Sequence, residues 1–138
     1  MKAFLIVFFF FQSLIAIAEG RTFCAEAYNS EYDLTMKINL YADSVSIPGQ
    51  EILGNCYGYL KKNTDQRAWI IVSATVKKGG KSAELEIIND YGSEDLTAEL
   101  SLTADSTYTL RQVSGSTIKV ANRGKWQKLP KEIKFVRK

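Results

Sequence analysis

Histidine is absent from this chain of 138 residues, and that absence excludes more chemistry than any residue present supplies. Without an imidazole there is no Ser-His-Asp or Cys-His machinery, no His-ligated zinc and no histidine pH switch. Cysteine is almost as scarce, Cys24 and Cys56 being the whole supply. Two thiols with no further ligand make a poor metal site, so neither a metal nor a cofactor is expected. A Walker-type loop and a dinucleotide fingerprint are also missing, and Gly79-Gly80 and Gly115 read as turn residues. Nothing in these absences leaves a nucleophile with a base beside it, so no catalytic residue is assigned.

Long apolar runs are confined to the N-terminus. Lys2 is followed by an apolar stretch from Ala3 to Ile17, and Ala16-Ile17-Ala18 has the small-x-small form that a signal peptidase reads. The stretch is about 15 residues, whereas a spanning helix needs about 20. Residues 1–18 are therefore expected to be a signal peptide and residues 19–138 a single all-β domain with no transmembrane segment, exported to the periplasm or outside the cell. Cys24 follows Arg21-Thr22-Phe23 rather than the small and aliphatic residues of a lipoprotein cleavage site, which argues against a lipid anchor. In an oxidising compartment the two cysteines are expected to form one disulfide, Cys24–Cys56.

What the sequence does have is alternation. Leu34, Met36, Ile38 and Leu40 alternate with polar residues, and Ile52 to Leu60 reads as another strand, with Gly54 and Gly58 marking a bulge, a bend or close backbone approach. Gly79-Gly80 can reverse the chain in two residues, which would pair positions whose numbers sum to 159. That register puts Val76 opposite Ala83, Ala74 opposite Leu85 and Val72 opposite Ile87 on one apolar face, with Ile71 and Ile88 opposed on the polar one. Leu96, Ala98, Leu100 and Leu102 continue the rhythm, a turn at Asp105 brings Tyr108 and Leu110 opposite Leu102 and Leu100, and Ile133 and Phe135 offer a last strand. Two registers fit the chain after Ser114-Gly115-Ser116. Many short strands joined by short connections predict an antiparallel meander that closes into a small β-barrel, with a β-sandwich as the alternative.

Three constellations could carry function. Asp43, Glu51, Asp65, Asp90, Glu94, Asp95 and Asp105 lie in or beside turns, where carboxylates are ordinarily solvated; paired, they could serve a hydrolase. The stretch from Asn89 to Asp95 could offer oxygens to calcium, but its spacing is not that of an EF-hand and a polar hairpin loop explains it. The second constellation is basic. Arg123, Lys125, Lys128, Lys131, Lys134, Arg137 and Lys138, with Trp126 among them, face one acidic residue, Glu132, while the stretch from Glu19 to Asn122 holds ten basic and fourteen acidic residues. Such an end could dock on anionic polymer, an envelope surface or lipid headgroups, or it could be an edge strand guarded by lysine. Nucleic acid is not an expected partner of an exported chain. The third is aromatic: Tyr57, Tyr59, Trp69, Ile71 and Ile88 form a candidate binding patch, or else a second core under a covering loop.

These features predict an exported, non-catalytic binding module rather than an enzyme. Its partner would be a small apolar ligand inside the barrel, or a glycan or protein held on the surface, an enzyme to be inhibited among them. The alternatives are an envelope component held by its basic C-terminal segment and a carboxylate hydrolase.

Overall fold

A computed structural model describes residues 22–90, 92–104 and 106–138. The segment read as a signal peptide lies outside these residues, as do Tyr91 and Asp105. Among the described residues no helix is long and apolar enough to cross a membrane.

Among the described residues twelve strands follow one another: β1 (Cys24–Asn29), β2 (Leu34–Asn39), β3 (Val45–Ser46), β4 (Asn55–Cys56), β5 (Gly58–Lys62), β6 (Ala68–Val76), β7 (Ser82–Asn89), β8 (Asp95–Ala104), β9 (Thr107–Gly115), β10 (Lys119–Asn122), β11 (Lys125–Lys128) and β12 (Glu132–Arg137). Eight of them close an antiparallel barrel in the order β1-β12-β9-β8-β7-β6-β5-β2. The barrel, not the sandwich, is the fold. β12 is inserted between β1 and β9, so the first and last strands meet and no barrel edge is left. The C-terminal strand is thus not the lysine-guarded edge that its charge suggests.

Alternation dictates what fills the barrel. Leu34, Met36, Ile38, Leu60, Leu85, Ile87, Ala98, Leu100, Leu110, Ile133 and Phe135 point inward with Phe23 and Tyr108, and they form one buried cluster. The interior is a packed core, not a ligand chamber. The expected pairs Leu102–Tyr108 and Leu100–Leu110 are present.

The glycine hairpin holds its register over half its length. Val76–Ala83, Thr75–Glu84, Ala74–Leu85 and Ser73–Glu86 pair as expected, and Gly79 and Gly80 both take positive φ (98° and 72°). The turn runs from Lys77 to Gly80, one residue earlier than a two-glycine turn would place it, with the Gly80 amide donating to the Lys77 carbonyl at 3.0 Å. Beyond Ser73 a β-bulge at Val72 shifts the pairing, so that Ile71 faces Ile87 and Ile70 faces Ile88. Val72 is turned out to 42% exposure while Ile71 is fully buried. The bulge corrects the expected pairs Val72–Ile87 and Ile71–Ile88, and it lets a two-faced strand continue past the glycine-proximal half without opening the barrel.

Two excursions leave the barrel. Residues 40–57 climb its outer wall, where Val45, Ile47 and Cys56 pack on Tyr59, Ala68, Ile70 and Ile88 as a second buried cluster. The expected strand from Ile52 to Leu60 is therefore broken. Glu51–Leu53 is a 3-10 turn with no buried residue, and strand begins again at Asn55. Residues 116–131 form the other excursion, a β10–β11 hairpin whose Ile118, Val120 and Leu129 plug one end of the barrel. Gln112, itself buried, ties down both ends of this plug: its carbonyl accepts from the Ile118 amide (2.8 Å) and its amide donates to the Pro130 carbonyl (2.9 Å).

The expected disulfide is not formed; both cysteines are free thiols, Cys24 exposed and Cys56 buried. The reason is topological. Cys24 opposes Asn39 on β2, and the Asn39 amide in turn donates to the Tyr57 carbonyl, so β2 stands between the two cysteines. Two strand spacings are roughly 10 Å, beyond the roughly 7 Å between Cα atoms that a disulfide tolerates. Burial also pushes the Cys56 thiol pKa up, which keeps it protonated and inert. A thiol reagent should accordingly titrate Cys24 in the native protein and Cys56 only after unfolding. Cys24→Ser should move stability by less than about 0.5 kcal/mol, and a reductant should leave Tm unchanged. A protein with no titratable thiol before reduction would contradict this.

Candidate functional site

One concave site lies at the plugged end of the barrel. Between the β10–β11 hairpin, the start of β6 and the loop from β7 to β8 lies a cleft of about 270 Å³. Its apolar floor is Leu60, Ala68, Trp69 and Val120, and its rim carries Lys62, Asp65, Arg67, Asp90, Glu94, Lys119 and Trp126.

Each part follows from local sequence. Asn122-Arg123-Gly124-Lys125 is a two-residue hairpin turn with both central residues at positive φ (Arg123 54°, Gly124 79°), and it presents Trp126 opposite Ala121. The hairpin is tethered to the barrel from below. The Trp69 indole donates to the Lys119 carbonyl (2.9 Å), and the Lys62 ammonium donates to the Ala121 carbonyl (2.8 Å). Trp126 remains 61% exposed, and the Arg67 guanidinium lies over its ring, 4.5 Å from the centroid. Arg67 is in turn gripped by Asp65 in a two-pronged contact, Nε to Oδ1 at 3.0 Å and Nη2 to Oδ2 at 2.8 Å. That hydrogen bonding holds the Asp65 carboxyl below its ordinary pKa.

The other carboxylates at the cleft are also engaged. Glu94 pairs with Lys119 at 3.1 Å. Asp90 accepts from the Gln50 side-chain amide (3.3 Å) and from the Ala68 amide (3.4 Å). Asn89 closes the loop that follows it, its side-chain carbonyl accepting from the amides of Ser93 (2.9 Å) and Glu94 (3.3 Å). In the stretch considered for calcium, the side-chain oxygens of Asn89, Asp90 and Glu94 thus serve the loop's own amides, Gln50, the Ala68 amide and Lys119. Among the described residues three cationic and three anionic side chains line the cleft, so their charges balance.

The residues singled out from sequence are dispersed rather than gathered. Of the aromatic patch, Trp69 and Ile71 enter the barrel core, Tyr59 and Ile88 belong to the second cluster under residues 40–57, and Tyr57 is half-buried against the main core. The patch is two interiors on either side of a wall, and of its residues Trp69 reaches the cleft at the plugged end. The basic segment divides as well. Arg123, Lys125, Trp126 and Lys128 sit on the hairpin and Lys131 in the loop after it, whereas Lys134 and Arg137 are on β12 in the barrel wall. Lys138 lies 3.6 Å from Glu26. Among the described residues no three Cys, Asp or Glu side chains converge as metal ligands.

Sequence reasoning missed the partnership of Arg67 with Trp126 and the role of the hairpin as a plug. The signal available was the turn chemistry of Asn122-Arg123-Gly124, which predicts that Val120 and Trp126 belong to facing strands. No family model, curated protein or solved structure matches the chain.

Proposed function

We propose that the protein is a non-catalytic binding module and that the cleft beside Trp126 takes a neutral sugar ring of a glycan. The observation that carries this reading is an exposed indole, held in place by Arg67, at the mouth of an apolar-floored cleft whose ion pairs are already internally matched. A sugar ring offers an apolar face for the indole and hydroxyls for the rim carboxylates and amides, and it brings no charge that would compete with existing pairs. A charged ligand would have to compete with the Arg67–Asp65 or Lys119–Glu94 pair, or draw Lys62 from the Ala121 carbonyl or Asp90 from its two amide donors. The filled barrel argues against an internal apolar ligand. Asp65, held ionised by its hydrogen bonds to Arg67, is not a general-acid carboxyl of the raised-pKa kind that glycoside hydrolysis needs.

The test is titration with neutral hexose and N-acetylhexosamine oligosaccharides, followed by tryptophan fluorescence and calorimetry. Trp126→Ala should weaken binding by about tenfold to a hundredfold, the worth of one aromatic anchor of about 1.5 to 3 kcal/mol. The variant should keep the parent's Tm, since the indole is mostly in water. Binding unchanged in Trp126→Ala, or release of cleaved sugar, would overturn the proposal.

A further inference from the structure

We infer that the cleft-bearing end of the barrel docks on an anionic lipid bilayer, with Ile52 and Leu53 as the inserting tip. Ile52 is 98% exposed and Leu53 53%, side by side on the 3-10 turn Glu51–Leu53. A single exposed aliphatic residue is commonplace. Here two adjacent ones crown a loop that is firmly held below. Val45, Ile47 and Cys56 anchor its two arms in the second cluster, and the Gln50 side chain donates to the Gln66 carbonyl at 2.8 Å. The neighbouring Glu51 is exposed as well, its carboxylate accepting from the Gly49 amide at 3.3 Å.

What the tip would meet is indicated by its surroundings. The Gln50–Gln66 bond sets the loop next to Arg67, which lies over Trp126, so the aliphatic tip and the exposed indole share one end of the molecule. Indole rings favour the headgroup level, where one side is apolar and the other wet. The neighbouring hairpin adds Arg123, Lys125 and Lys128, all exposed, and residues 119–131 contain no acidic side chain. Among the described residues these three cations make no ion pair. Scattered apolar tips beside unpaired cations suit a lipid interface, which supplies hydrocarbon and negative charge together. A protein partner would be served better by one contiguous apolar patch.

This inference shares Trp126 with the glycan reading but can hold without it, because it is carried by the aliphatic tip and the hairpin cations rather than by the cleft floor. The experiment is sedimentation of the full chain with phosphatidylcholine vesicles, with and without phosphatidylglycerol, in the absence of sugar. Binding is expected to the anionic vesicles only, and to fall about tenfold or more in Ile52→Ser/Leu53→Ser and in Lys125→Glu/Lys128→Glu. In Ile52→Trp/Trp126→Phe the new indole's emission should move to the blue when vesicles are added. Vesicle binding unaffected by Ile52→Ser/Leu53→Ser, or an unmoved emission, would overturn the proposal. So would equal affinity for dextran sulfate and for vesicles, which would assign the charge to a soluble polyanion. Oligosaccharide binding by Ile52→Ser/Leu53→Ser should match the parent, which separates the two sites.

Discussion

Gly58→Ala is expected to cost about 3 kcal/mol or more, a large share of the roughly 5–15 kcal/mol that holds a domain of this kind. A methyl group at position 58 would come 2.5 Å from the Lys37 carbonyl oxygen and 2.8 Å from Ile38 Cγ2. The first of these is backbone and cannot rotate away. It belongs to a central pairing, since Gly58 faces Ile38 on β2 and Ile71 on β6. Relief would require β2 and β5 to separate at the point where the climbing excursion rejoins the barrel. Gly49→Ala is the control. That glycine also has an unusual backbone (φ 78°), but a methyl there meets nothing within 4 Å, so the expected cost is only about 1 kcal/mol, from the left-handed conformation alone. Urea unfolding of the two variants measures the contrast. A Gly58→Ala loss no greater than that of Gly49→Ala would show that the strands are not so closely apposed.

Ile71→Ala and Val72→Ala form the second contrast, and here simple alternation and the folded protein make opposite forecasts. With one register throughout the hairpin, Val72 would be the core residue and Ile71 the exposed one. The bulge reverses them. Ile71→Ala should therefore cost about 2–5 kcal/mol, the range for a buried aliphatic truncation, and Val72→Ala less than about 1 kcal/mol. Equal losses, or a larger one at Val72, would mean that the bulge does not exist in solution. Trp69 gives an independent reading, because the same shift carries it inward to donate to Lys119. Its emission should be that of a buried indole, and Ile71→Ala should perturb it.

The candidate site was legible only in fragments. Trp126 and the basic residues around it stand out from their sequence alone. Their partner Arg67 does not, because 59 positions separate it from Trp126 and nothing local marks an arginine as the one that will lie over a distant indole. Tyr57 and Tyr59 fail for a related reason. Two positions apart, they would share a face of a regular strand, but the chain bends at Tyr57 and Gly58 lies flat against β2, so Tyr57 goes to one core and Tyr59 to another. The cysteine pair is not decided by elimination, because the sequence does not say that β2 stands between Cys24 and Cys56.

Read without its fold, the chain determines the all-β class, the interior residues of most strands, and the reversal at the glycine pair. Each of these depends on side chains alternating every two residues, or on a backbone conformation that glycine adopts freely. Neither needs information from more than a few positions away. Closure by β1 against β12, the bulge at Val72, the two free thiols, the plug and the Arg67–Trp126 mouth were settled only in three dimensions. They depend on which strands become neighbours and on how many residues fit around a closed wall. The interior of a barrel must be filled and its backbone groups paired all the way round, and local alternation gives way wherever that requirement conflicts with it.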